Sequence, residues 1–280
     1  MKLASFKVNN KSTYGVLSGG ELREPGNAFR ARYPDLRSAI SAGALAELES
    51  VDIEASYDVD SVQFLPLIPN SDKILCVGVN YRPHIEEMGR DIPDHPVVFV
   101  RFSGSQTGHR QPVLRPRASE EFDFEGELAI VVGKPARHVP RADALDYIAG
   151  YCCFMDGSVR DWQKHTMQFT PGKNFDSSGS MGPWLVTSDE VADPTVLTLT
   201  TRVNGEIMQE GRVADLLFDI PALMEYCSTF TQLLPGDVIA TGTPGGVGAA
   251  RTPPQWLKAG DSVEVDIPGV GLLINPVADE

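Results

Sequence analysis

Residues 122–133 read FDFEGELAIVVG: Phe122, Asp123, Phe124, Glu125, Gly126, Glu127, then an apolar run from Leu128 to Val132 closed by Gly133. The run reads as a β-strand with two glutamates at its head. Successive side chains on a strand point to opposite faces, so the Glu-Gly-Glu spacing places Glu125 and Glu127 on one side, and Gly126 leaves the other side uncrowded. A third acid, Asp156, closes the apolar part of a second stretch, GYCCFMDGSVRDWQ (150–163). Three ionised carboxylates suit a hard cation, Mg²⁺ or Mn²⁺ with Ca²⁺ as a further candidate, better than Zn²⁺, which favours Cys and His. The alternative is that these are solvated acids on a half-exposed edge strand.

Outward from this stretch β signals dominate from Lys73 onward. KILCVGV, PVVFVR, AGYCCFM, GPWLVT, TVLTLTTRVN, DVIAT, DSVEVDI and VGLLINPV are further candidate strands, mostly bounded by Gly, Pro, Asp or Asn. Two helices stand out: ADALDYIA, and DIPALMEYCSTFTQLL with Asp219 as N-cap and Pro221 in the first turn, where its missing N–H does no harm. Many strands with few helices to cross between parallel neighbours predict an α+β, mostly β main domain. Residues 1–68 read as a small N-terminal unit with short strands near Lys2–Val8 and Tyr14–Leu17 and a helix around Ser38–Leu48. Prolines at 66 and 69 suggest an extended link into a main domain of residues 69–280.

A formal charge of -14 disfavours nucleic acid and anionic membranes as partners, since no Lys/Arg cluster offsets it. With 42% hydrophobic and 22% charged residues the chain has ordinary globular composition, which excludes a disordered or fibrous class. MKLASFKVNNKSTYG lacks the apolar core of a signal peptide, and no stretch approaches a membrane span, so a cytoplasmic location is the expectation. Cys76, Cys152, Cys153 and Cys227 show no CxxC spacing and are expected to be core thiols.

Three other segments carry candidate chemistry. In GVNYRPHIEEMGRDIPDHP (78–96), His84 and Glu87 share a face if the segment makes a helical turn, and a carboxylate beside an imidazole suits a general base. Pro83, Gly89 and Pro93 punctuate it as a mobile lid would be. Lys173, in FTPGKNFDSSGSMGPWLVT (169–187), could face an anionic group. PGDVIATGTPGGVG (235–248) is a strand entering a glycine-rich turn whose N–H groups could nest an anion, though it matches neither GxGxxG nor the P-loop. For each, an exposed His, an exposed Lys or a plain tight turn is the simpler alternative.

Taken in order, NYRPH, FEGELAIVVG, GYCCFMDGSVRDWQ, GKNFDSSGSMGPWLVT, VNGEIMQ and LLPGDVIATGTPGGVG resemble the fumarylacetoacetate hydrolase family over about residues 72–276. The resemblance implies a mixed β-sandwich roll, a homodimer, and Mg²⁺ or Mn²⁺ held by Glu125, Glu127 and Asp156. It implies catalytic roles for His84, Glu87 and Lys173 and substrate contacts from Gln163 and Thr243, with Arg101 and Tyr81 as further substrate-binding candidates. Residues 1–68 are similar only to the variable N-terminal domain of many members. Two departures stand out: Met155–Asp161 where many members read NDVSARD, and Arg101-Phe102-Ser103 where many read KPS.

The substrate so implied is a small anionic 2-oxo acid. The leading expectation is C–C hydrolysis of an acylpyruvate-type 2,4-dioxo acid by water that His84 and Glu87 activate, expelling a pyruvate enolate. Decarboxylation of an oxaloacetate-type acid, or isomerisation or hydration of an unsaturated 2-oxo diacid in aromatic catabolism, are the alternatives. A non-catalytic dicarboxylate binder is a third class, and it would need no base. Tyr81, Phe102, Met167, Phe169 and Trp184 are candidates to line an apolar acyl pocket.

Overall fold

The computed structural model describes all of residues 1–280. At its centre runs the strand Gly126–Val132, every residue of which is buried. Burial on both faces is why the sequence shows a continuous apolar run rather than alternation. Its antiparallel neighbours are Ile148–Met155 and Val238–Ala240. Beyond the latter, Ile74–Gly78 pairs in parallel and Val97–Arg101 forms one edge. On the other flank Ile148–Met155 pairs with Gly179–Thr187, which pairs in turn with Lys2–Val8. The segment 1–68 thus extends the main sheet through Lys2–Val8, Lys11–Ser18, Glu21–Pro25 and Ile53–Asp58, and with the two-residue strands Gln63–Phe64 and Gln106–Thr107 the sheet has twelve strands in all. A second sheet of five runs Glu206–Arg212, Thr198–Val203, Ser262–Ile267, Gly271–Asp279, Val113–Arg115. The architecture is α+β and mostly β.

The two faces of the central strands bury two different cores. Leu128, Ile130, Val132, Cys153 and Met155 pack toward the second sheet with Leu199, Val265 and Leu273. Ala129, Val131, Cys152 and Phe154 pack the other way, against Leu36, Ile40 and Leu48 of the N-terminal segment. By the period of two, Glu125 and Glu127 share the face of Ala129 and Val131. Gly126 points to the second sheet, where an added Cβ would overlap Thr201 Oγ1 and come within 3.3 Å of Val265 Cγ2. The side expected to be uncrowded is a close contact between sheets, and it requires glycine.

Local signals account for most of the helices. Ile220–Phe230 starts at Asp219, whose side chain accepts from Ala222 N at 2.9 Å, with proline in the first turn. The helix expected over 38–48 is broken into Leu36–Ser41 and a 3₁₀ turn at Leu45–Glu49, because Gly43 between them takes φ +66°, a left-handed conformation that ends a helix. Arg141–Tyr147 is 3₁₀ rather than α, being confined between Pro140 and the strand that begins at Ile148. All four cysteines are free and buried. No helix is long and apolar enough to cross a membrane.

Candidate metal and catalytic centre

Strand register assembles the three acids. Gly126 pairs with Met155, so the next positions outward, Glu125 and Asp156, lie opposite one another, and the Asp156 amide donates to the Glu125 carbonyl at 2.8 Å. Glu127 follows on the same face. The three residues are 5%, 2% and 0% exposed for Glu125, Glu127 and Asp156, which removes the solvated-edge alternative. Each offers a carboxylate oxygen within 4.8 Å of the others.

Buried cations surround the cluster. Lys173 Nζ donates to Glu125 Oε2 (2.6 Å), Asp156 Oδ2 (2.7 Å) and Ser158 Oγ (2.6 Å). Its three donors are therefore all used on protein oxygens, and its role in this structure is to hold the acids. Arg160 Nη2 lies 2.7 Å from Glu125 Oε1 and its Nε donates to Asp123 Oδ2 at 2.7 Å. Arg101 Nη1 donates to Asp156 Oδ1 (2.5 Å) and to the Gly157 carbonyl (2.9 Å). Asp123, Glu125, Glu127 and Asp156 thus face Arg101, Arg160 and Lys173, which leaves one negative charge in surplus.

That surplus sits on Glu127, which has no ion-pair partner and accepts only from Gly242 N, at 2.8 Å. Burial, then the charges on Asp156 and Glu125, push its carboxyl well above the usual range. For Glu125 burial acts in the same direction, but Lys173 and Arg160 outweigh it and hold the carboxyl below that range. Burial works against the Lys173 ammonium, yet Asp156 and Glu125 more than offset it and raise its pKa. A divalent cation among the three carboxylates would neutralise the surplus and relieve Glu127, and an all-oxygen donor set is the kind Mg²⁺, Mn²⁺ and Ca²⁺ take. The residues fit such an ion.

His84 belongs to the helix Arg82–Glu87. Its Nδ1 is 2.8 Å from Glu87 Oε1, and Glu87 Oε2 accepts from Gly246 N at 2.7 Å. The glycine-rich turn therefore does present an N–H to a carboxylate, one belonging to the protein itself. With Nδ1 engaged, Nε2 is the nitrogen left for chemistry. His84, Gln163, Lys173 and Thr243 line one cavity of about 30 Å³ together with Glu125, Glu127, Arg90, Phe99 and Phe169. Gln163 Oε1 accepts from Arg160 Nη1 at 2.9 Å. Thr243 Oγ1 donates to the Gly126 carbonyl at 2.9 Å and accepts from Gln209 Nε2 at 2.8 Å. Val79, in the same lining, takes φ +58°, a left-handed backbone that costs a β-branched residue about 1–2 kcal/mol. Its neighbour Asn80 holds the turn by donating to the Thr241 carbonyl (2.7 Å) and the Phe218 carbonyl (3.0 Å).

Other expected contacts fall elsewhere. Arg101 is fully enclosed behind Asp156 and does not line the cavity. Tyr81 packs in the core between the sheets, where burial pushes its phenol up, and it does not line the cavity either. Of the residues expected around an acyl group, Phe169 alone lines it: Phe102 and Met167 are 59% and 94% exposed, and Trp184 Nε1 donates to the Val270 carbonyl at 2.7 Å. Four site residues were missed. Ser158 and Arg160 sit in the quoted GSVRDWQ, and Gln209 ends VNGEIMQ, where it joins Gly126 N (3.0 Å) to Thr243. Asp123 alternates with Glu125 and Glu127 in the opening stretch, a period-two signal that could have found it. The two departures from the family pattern meet in space, since Arg101 contacts both Asp156 and the carbonyl of Gly157.

The profile of the fumarylacetoacetate (FAA) hydrolase C-terminal domain matches residues 73–278. Among curated proteins the chain is similar to a mitochondrial oxaloacetate tautomerase of Xenopus laevis, 42% identical over 99% of this chain and 90% of that one. It is also similar to the oxaloacetate tautomerase YisK of Bacillus subtilis (strain 168), 42% identical over 79% of this chain and 75% of that one. Among solved structures it is similar to maleylpyruvate hydrolase from Sphingobium sp. SYK-6 in complex with manganese (II) ion and pyruvate, with 30% identity and a TM-score of 0.81 over 100% of this chain and 99% of that one. With the motifs, the fold and the buried acidic cluster in agreement, the chain belongs to the fumarylacetoacetate hydrolase family.

Proposed function

We propose that the protein is a Mg²⁺- or Mn²⁺-dependent enzyme that interconverts the keto and enol forms of an oxaloacetate-type 2-oxo diacid. The observation that carries this reading is the cavity, which holds a carboxylate-supported imidazole beside a cluster of acids and cations, the groups a proton shift next to a polarised carbonyl requires. C–C hydrolysis, the leading expectation from sequence, would use the same imidazole to activate a water. The tautomerase names carried by relatives 42% identical to this chain support the proton shift.

The bound cation would supply Lewis-acid polarisation of the 2-oxo group. The rest is done by side chains. His84 Nε2 takes the proton from the carbon beside the 2-oxo group and returns it to the oxygen, a shift that adds no water. Glu87 keeps Nδ1 engaged and stabilises the imidazolium that forms, and Gly246 N fixes Glu87 from behind. Lys173 and Arg160 place positive charge at the cavity wall, which favours negative charge on the reacting oxygen. Gln163 and Thr243 present polar groups to the substrate.

The test is to follow enol loss spectroscopically with oxaloacetate and Mn²⁺, monitoring pyruvate and CO₂ in parallel. The expected outcome is metal-dependent tautomerisation, lost on chelation, with neither product rising above background. Replacing His84 with Gln should lower the rate by about 10²-fold or more while Mn²⁺ affinity stays as in the wild type. Faster release of pyruvate from an acylpyruvate than conversion of the oxaloacetate enol would overturn the reading in favour of hydrolysis.

A further inference from the structure

The helix Arg82–Glu87 ends in a turn that aims one cation back at the cavity. Gly89 takes φ +60°, its N–H donates to the Glu86 carbonyl at 3.1 Å, and Arg90 N donates to the Ile85 carbonyl at 3.0 Å. These two bonds form a Schellman motif, which reverses the chain at the helix end. Arg90 thereby joins the cavity lining, with its guanidinium carbon 5.4 Å from the centroid of the Phe169 ring. Phe169 packs edge-on against Phe99, centroids 5.7 Å apart, and Lys173 Nζ lies 5.0 Å from the Phe99 centroid. An aromatic wall therefore carries a cation at each end, Lys173 among the acids and Arg90 on the exposed turn that ends the helix.

The two cations differ in one respect that matters for binding. Lys173 is buried and has its donors used by protein oxygens, whereas Arg90 is exposed and forms no ion pair or side-chain hydrogen bond. Its neighbour Glu87, the last residue of that helix, is taken by His84 and Gly246. A planar guanidinium with free donors matches a carboxylate in bidentate fashion. In a chain of charge -14, a free cation at the entrance also offsets the repulsion a dianion would meet. We propose that Arg90 is the specificity-determining residue for a second carboxylate at the far end of the substrate, so that the site selects 2-oxo diacids over 2-oxo monoacids. This rests on the tautomerase reading for the reaction but not for the binding.

The experiment compares oxaloacetate with its 4-ethyl ester on the Mn²⁺-loaded full chain, for the wild type, Arg90→Gln and Arg90→Lys, by kinetics and by calorimetric binding. The expected result is a KM and Kd for the diacid raised about tenfold or more in Arg90→Gln, with kcat within about twofold, no change for the ester, and partial recovery in Arg90→Lys. Equal effects on diacid and ester, or no effect on either, would overturn the proposal. A wild type that binds the diacid more tightly than the ester in an Arg90-dependent way, yet tautomerises neither, would refute the reaction and leave the specificity role standing.

Discussion

Glu127 is the residue at which folding and function pull apart. It is 2% exposed, faces the charges of Glu125 and Asp156, and has one backbone donor in place of a counter-ion. A buried carboxylate in that position is a burden on the metal-free fold and a ligand in the metal-bound one. Replacing Glu127 with Gln keeps an oxygen for Gly242 N and removes the charge. The metal-free variant should be more stable than the wild type by on the order of 1 kcal/mol, while the stabilisation that Mn²⁺ confers on the wild type disappears. Thermal melts with and without Mn²⁺ read both effects, and a variant destabilised without metal would show that the charge is not a burden. The glutamate pair was legible because side-chain alternation is local. Its counter-ions were not, since Arg101, Lys173 and Arg160 come from three separate segments, and nothing within RDWQ indicates that its arginine grips Asp123, 37 residues earlier.

At the scale of elements, the strand Gly126–Val132 was readable from its apolar run, but what its glycine faces was not. Thr198–Val203 lies about seventy residues away in sequence, and only its packing against the strand explains Gly126. Thr201 contributes a hydroxyl that is fully buried and has no hydrogen-bond partner, so its removal forfeits little. Thr201→Ala should change stability by less than about 1 kcal/mol. Gly126→Ala should lose about 2–3 kcal/mol through overpacking, and the double variant should recover much of that loss, because the nearest remaining atoms stand at 3.3 Å. Chemical denaturation of the four proteins measures the coupling. Strict additivity would mean that the clash lies elsewhere.

At the scale of the whole molecule, prolines at 66 and 69 read as a link between two units, yet Leu67 and Ile68 are buried and the core they join mixes Leu3, Tyr14 and Leu36 with Ala129, Phe154 and Leu185. A pairing between Lys2–Val8 and Gly179–Thr187 has no signal in either segment taken alone. His109 stands where these parts meet: its ring packs edge-on against Phe64 of the N-terminal segment at 4.9 Å, and its Nδ1 accepts from Ile274 N of the second sheet at 3.1 Å. Burial first, and then the charge of Arg110, lowers its pKa from 6.5 to about 4. The folded state therefore holds this imidazole neutral while the unfolded chain takes up a proton. The stability that depends on neutrality is complete above about pH 6.5, falls as pH drops from there toward 4, and is gone below that, a loss on the order of 3 kcal/mol. An asparagine can accept from Ile274 N without titrating. The difference in unfolding free energy between wild type and His109→Asn should accordingly shift in favour of the variant as pH falls from 7 to 4, with urea titrations at each pH as the measure. A difference that stays constant across that range would mean that the imidazole takes up its proton at the same pH in the folded and unfolded chains, so that burial does not hold it neutral.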